Sequence, residues 1–297
     1  MKLNQTKPAI LSRRHGTRIL QRLGVGAILP ACLAWIALTP SLTAGESKSF
    51  KEEIIVVEEV APFSAELSTG WDSLYMFRGV NVIRGDKEYG SSLYWTDLNA
   101  TWNMTASDSI TVGAWMAFGL DSSDYKELDV YVGYTKTIGD FSLGMGYIFY
   151  DAIAGPLYSH ELNWSLAYTI NLPKGITITP ALIYYLNLGP DAGGGQGIAE
   201  TGSSFLQARI DAGIPIYKDI VSLEPWVAFG ASFGYNFRED GSTLTGANNL
   251  ELGLGVPVKV NDTITLYAYA AYSNQWSSLV GTEPSTFWGG AKVSFSF

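Results

Sequence analysis

The stretch Thr286–Phe297, TFWGGAKVSFSF, puts Phe287, Gly289, Ala291, Val293, Phe295 and Phe297 in one alternating file. The other file holds Thr286, Trp288, Gly290, Lys292, Ser294 and Ser296. A period of two kept up over this length specifies a β-strand with one apolar and one polar face. The pattern recurs upstream. Leu250, Leu252, Leu254, Val256, Val258 and Val260 alternate with Glu251, Gly253, Gly255, Pro257 and Lys259. Leu162, Trp164, Leu166, Tyr168 and Ile170 alternate with Glu161, Asn163, Ser165, Ala167 and Thr169.

Composition agrees with a two-faced β protein. Aliphatic and aromatic residues make up 47% of the 297 residues, and charged residues only 16%. With 17 Tyr, 9 Trp and 32 Gly, the chain matches neither a disordered nor a helical composition. Past the first 44 residues no apolar run approaches the roughly 20 residues that a spanning helix needs.

Those first residues are of a different kind. Lys2, Lys7, Arg13, Arg14, Arg18 and Arg22 occur with no acid among them, and an apolar core runs from Leu23 to Leu38. The small-residue exit at Ser41–Gly45 suits cleavage after Ala44, so residues 1–44 read as a secretory signal peptide. Cys32 is followed by more apolar core and reads as filler rather than as a lipidation site. Removing the signal leaves 13 of the 19 basic residues against 28 acidic ones, a net charge of −15. It also leaves no cysteine, and with it no disulfide or thiol chemistry. Residues 45–63 are charged and Pro-terminated, and read as a periplasmic linker.

Over residues 64–297 the two-residue period predicts twelve strands: Ala65–Met76, Ser91–Met104, Ile110–Leu120, Glu127–Ile138, Phe141–Tyr150, Glu161–Ile170, Ile176–Asn187, Ser204–Ile216, Ile220–Tyr235, Asn248–Val260, Thr263–Ser273 and Thr286–Phe297. Five connections are short and carry Asn, Asp, Gly or Pro turn chemistry. Six are longer, and the two kinds alternate. Short turns at one end, longer loops at the other and an even strand number describe an all-β, up-and-down transmembrane barrel. Its closure pairs every backbone amide, as lipid requires. Trp95, Trp102, Tyr134, Phe141, Tyr168 and Phe297, near strand ends, suit interfacial girdles.

Two resemblances follow. The closing strand is similar to those that end bacterial outer-membrane barrels, which implies that Phe295 and Phe297 serve as the signal read by the barrel assembly machinery. The first strand and its loop contain Ser73, Tyr75, Phe77, Arg78 and Gly79 in the spacing S-x-Y-x-F-R-G. This resembles the opening signature of the TorF-type porins, outer-membrane β-barrels also catalogued as Gly-Cys-Trp (GCW) conserved hypothetical proteins. The resemblance implies a porin of a Gram-negative outer membrane and names no solute.

If the apolar files face lipid, the lumen receives Glu66, Asp72, Asp97, Asp129, Glu161, Asp211, Glu224 and Glu251 against Arg209, Lys259 and Lys292, with Arg78 at the outer mouth. That balance favours cations over anions in a conducting lumen. Mixed charges and aromatic rings are equally able to fill a barrel of this size, with Arg209 and Asp211 as a wall pair. Open pore and filled, non-conducting structural or receptor barrel therefore both stand at this point.

An enzyme is the competing class. His160 is the one histidine past the signal, and on a regular strand it faces away from Ser165. One His and no Cys do not build a transition-metal site, and the Gly-rich run at 192–197 lacks the Lys and helix of a phosphate cradle. No cofactor is expected. Expected partners are outer-membrane lipids, the assembly machinery, periplasmic chaperones and small solutes or cations, without nucleic acid. A homo-oligomer is compatible with the sequence.

Overall fold

The structure, a computed structural model, describes residues 62–83, 92–120, 125–153, 157–189, 201–279 and 283–297. The expected signal peptide and nearly all of the expected linker lie outside these residues. Twelve antiparallel strands form the wall: β1 (Phe63–Asp72), β2 (Leu93–Asn103), β3 (Asp108–Gly119), β4 (Lys126–Ile138), β5 (Phe141–Ala152), β6 (Leu157–Tyr168), β7 (Thr177–Gly189), β8 (Ser204–Tyr217), β9 (Val221–Phe237), β10 (Thr243–Lys259), β11 (Ile264–Gln275) and β12 (Ser285–Ser296). Each pairs with its neighbours in sequence, and β12 pairs with β1 from Glu66↔Ser296 to Asp72↔Gly290, which closes the barrel. At the seam, Phe297 and Ala65 exchange backbone hydrogen bonds of 2.9 and 3.1 Å.

Period-two alternation maps onto two environments. Val130 and Val132 on β4 are 47% and 42% exposed, whereas Asp129 between them and β3 is buried. Leu98, Val112, Leu143, Leu182, Ile210, Leu252 and Leu266 continue the exposed apolar belt around the barrel. In water such a belt would be costly; in a bilayer it is the lipid face. Short turns at 104–107, 139–140, 218–220 and 260–263, with a compact turn after β6, share the end where β1 begins and β12 stops.

Three boundaries differ from the sequence reading. The first strand stops at Asp72 rather than Met76, because Ser73 leaves the wall: its backbone N–H donates to Gly289 O and its Oγ accepts from Gly289 N. The sixth strand starts at Leu157 instead of Glu161. The tenth starts at Thr243 instead of Asn248, so β9 and β10 make a hairpin of 17 residues per strand that outreaches the others. In that hairpin Gly230 pairs with Asn249 and Ala231 with Ala247. Asn248 is thus the extra residue of a bulge, which re-aims its side chain.

Candidate functional site

Beyond Ser73 the chain turns into the barrel. Met76–Phe77 pairs with Val80–Asn81, and Arg78 (φ 50°) and Gly79 (φ 81°) form the two-residue tip. Two consecutive left-handed residues define a type I′ turn, the tightest hairpin connection. Sequence reading placed Arg78 at the outer mouth. The structure instead seats it, almost wholly buried, against the opposite wall, where it pairs with Glu161 of β6. Nη2 donates to Glu161 Oε1 at 2.6 Å, and Nη1 reaches Glu161 Oε2 and the Tyr235 hydroxyl. Tyr150 and Tyr235 hydroxyls also donate to Glu161, at 3.1 and 2.8 Å. The guanidinium lies 3.6 Å from the Tyr185 ring centroid and 4.8 Å from that of Tyr235. Charge, fork geometry and ring faces are all matched.

The rest of the hairpin is held as closely. Arg78 C=O accepts from Asn236 Nδ2 and Asn248 Nδ2, both at 3.0 Å, and Gly79 C=O accepts from Gln275 Nε2 at 2.7 Å. A Cβ on Gly79 would lie 2.8 Å from Asn249 Cγ, so glycine is required there by space as well as by φ. Val80 packs with Leu244 and Leu279, and Tyr75 against Trp115 and Tyr125. The hairpin therefore spans the lumen from β3 and β4 to β9, β10 and β11. Four of the five signature residues (Tyr75, Phe77, Arg78 and Gly79) build it, and Ser73 marks its departure from the wall.

The remaining lumen residues sit on the inward files. Asp72 accepts from Trp95 Nε1 at 2.9 Å and from the Tyr269 hydroxyl at 2.7 Å. Trp95, expected in a girdle, is thus turned inward over Gly70. Asp97 accepts from Tyr131 Oη (2.9 Å) and Asn99 Nδ2 (3.0 Å), and Glu251 from Trp226 Nε1 (2.8 Å). Ser68 Oγ donates to Glu66 at 2.8 Å. Arg209 makes the wall pair with Asp211, with Nη2 at 2.7 Å, and lies over Trp226. Lys259 pairs with Asp262 at the turn, and Lys292 lies 5.6 Å from the Tyr267 ring, near Glu224. Lys292 forms none of the ion pairs found among the described residues.

Asp129 is buried near Glu161 and beside Glu127, an inward acid that sequence reading missed. Also missed were Asn236, Asn248, Asn249 and Gln275. An Arg-Gly pair flanked by two short apolar steps was the available signal for the turn they receive.

The rings below the hairpin lie flat on the wall. Trp95 covers Gly70, Tyr131 covers Gly113, Trp226 covers Gly253 and Tyr267 covers Gly255, each glycine on an adjacent strand. Without side chains, those glycines let each ring sit against backbone instead of projecting across the lumen. A cavity of about 240 Å³, lined in part by Thr111, Tyr131, Gly133, Gly146, Asn163 and Ser165, remains on the β3–β6 side.

His160 faces outward in an aromatic cluster, with Nδ1 2.6 Å from Tyr147 Oη and its ring 5.0 Å from that of Phe149. Ser165 faces inward beside Gly144, on the other side of the wall. Among the described residues no group of three His, Cys, Asp or Glu is placed to hold a metal ion. Of the loop acids, Asp121 and Asp124 lie outside the described residues. Asp240 accepts from Ser242 Oγ and N (2.6 and 2.9 Å), which holds its carboxyl below the ordinary range.

No protein-family model matches the chain, and no curated protein matches its sequence. Solved structures do match. An outer membrane channel from Pseudomonas putida F1 is 11% identical, with 86% of this chain and 100% of that chain covered and a TM-score of 0.54. The NanC porin is 12% identical over 78% of this chain and 98% of its own, with a TM-score of 0.48. The translocator domain of the autotransporter NalP from Neisseria meningitidis is 14% identical over 81% and 90%, with a TM-score of 0.45. At such identities the likeness is one of fold, and the fold is that of an outer-membrane β-barrel.

Proposed function

We propose that this protein is an outer-membrane porin, a passive channel for small hydrophilic solutes and ions with a weak preference for cations. The hairpin narrows it at the outer end. The observation that carries this reading is the state of the lumen below the hairpin. Its large rings are folded over glycines, and its charged groups stay partly exposed on the wall. The inward files hold nine carboxylates, counting Glu127, against Arg78, Arg209, Lys259 and Lys292 among the described residues. An uneven lining of this kind raises the local concentration of cations.

Membership of the TorF-type porins belongs to the same proposal, supported by the part that each signature residue plays in the hairpin. So does a role without catalysis, supported by the separation of His160 from Ser165. Lipid hydrolysis that disappears in His160→Ala would overturn that part.

Purified, refolded protein in planar bilayers tests the channel. Discrete conductance steps are expected, with a reversal potential of cation-selective sign in a salt gradient. Replacing Asp97, Asp211 and Glu251 together by their amides should move that potential towards zero. A second reading, a filled barrel, is favoured by one observation, that the hairpin reaches the wall from β3 to β11. Silent bilayers would establish it in place of the channel. Phe295 and Phe297 are proposed as the assembly signal. Deleting Phe297 should lower the heat-modifiable, folded fraction in the outer membrane while export continues.

A further inference from the structure

Everything that neutralises or cradles Arg78 belongs to the wall, while Arg78 itself sits on an inserted hairpin. Glu161 is 1% exposed, with its oxygens engaged by the guanidinium and by the hydroxyls of Tyr150 and Tyr235. Tyr185 lies flat beneath the cation on β7. Glu161 has no other basic partner within ion-pair distance among the described residues, and the nearby acids Asp129 and Glu127 add to the negative field. Removing the tip would therefore leave a dry, three-walled cavity whose bidentate carboxylate and aromatic face select a planar cation.

We propose that this cage on β6, β7 and β9 is a binding site for solutes bearing a guanidinium group, and that the hairpin tip occupies it as a tethered ligand. Free guanidinium and Arg78 then compete for one seat. Binding of such a solute and withdrawal of the tip are linked: each weakens the other's hold on the cage. The tip residue has a backbone suited to this. Arg78 is a non-glycine at φ 50°, a conformation that the cage must hold and that is relieved when the tip leaves.

Thermal unfolding in detergent with methylguanidinium chloride as the probe tests the cage without reference to conductance. Arg78→Ala should gain several degrees in Tm with millimolar methylguanidinium, and nothing with equimolar sodium chloride or urea. The unaltered protein, with its seat filled, should respond far less. The double variant Arg78→Ala/Glu161→Gln should not respond at all. No shift in Arg78→Ala, or equal shifts in all three proteins, would overturn the site. If Arg78→Ala refolds poorly, yield becomes the readout. Methylguanidinium in the refolding buffer should restore the folded fraction where urea does not, and no restoration would overturn the proposal equally. Because Tm and yield report occupancy of the cage, a silent bilayer would remove the channel and leave this result standing.

Discussion

The two halves of the lumen solve the same problem differently. Both must accommodate charged side chains inside a barrel whose outer surface is committed to lipid. In the periplasmic half, Arg209 and Asp211 pair two residues apart on one strand, and both remain partly exposed, at 29% and 43%. In the outer half, Arg78 and Glu161 are 83 residues apart in sequence and pair almost without exposure, at 7% and 1%. A half-exposed pair contributes little, because water already solvates both partners. A buried pair leaves a stranded charge when either partner is lost. The first arrangement lines a passage; the second fastens an element across it.

Substitutions at the two pairs should separate the halves most widely. Arg78→Ala is expected to destabilise the barrel by about 3–5 kcal/mol, since Glu161 is left buried and uncompensated. Arg209→Ala is expected to cost less than about 1 kcal/mol. Urea titration of refolded protein, followed by tryptophan fluorescence, measures both. Equal losses would erase the distinction.

A glycine pair gives a smaller contrast. Gly79→Ala should cost about 1–3 kcal/mol, because the left-handed tip and the neighbouring Asn249 both reject a side chain. Gly133→Ala places its methyl where the nearest heavy atom is Met145 O at 3.8 Å, and should stay within about 0.5 kcal/mol of the parent. If Gly79→Ala is also silent, the tip is held more loosely than the Asn and Gln contacts indicate.

Much of the wall was legible before any coordinates. Leu252 and Leu254 face out and Glu251 and Gly253 face in because strand side chains alternate by covalent geometry, and no distant residue is needed to decide it. Asp72 to Lys292 could be assigned to the inner file on the same ground, and the Arg209–Asp211 pair followed from a spacing of two. Trp95 was misplaced because an aromatic near a strand end suits a girdle and an inner wall equally. What chose between them was the empty face of Gly70, on another strand. The lengths of β6, β9 and β10 were underestimated for a related reason: outside the bilayer a strand no longer needs one apolar file, so its period fades while its pairing continues.

By itself, then, the sequence determined a closed barrel, its strand number, which file meets lipid and which residues line the interior, since each of these follows from local alternation and turn chemistry. It did not determine what the stretch after Asp72 does. Tyr75 to Asn81 carries the same period as a wall strand, and nothing within ten residues of it opposes that reading. The stretch leaves the wall because partners far along the chain receive it: Glu161, Tyr235 and Asn236, Asn248 on its bulge, and Gln275, 196 residues from the glycine it holds. Only closing the barrel brings those groups to one height around one lumen, and their combined hydrogen bonds, charge and ring faces decide that the Arg-Gly turn points inward.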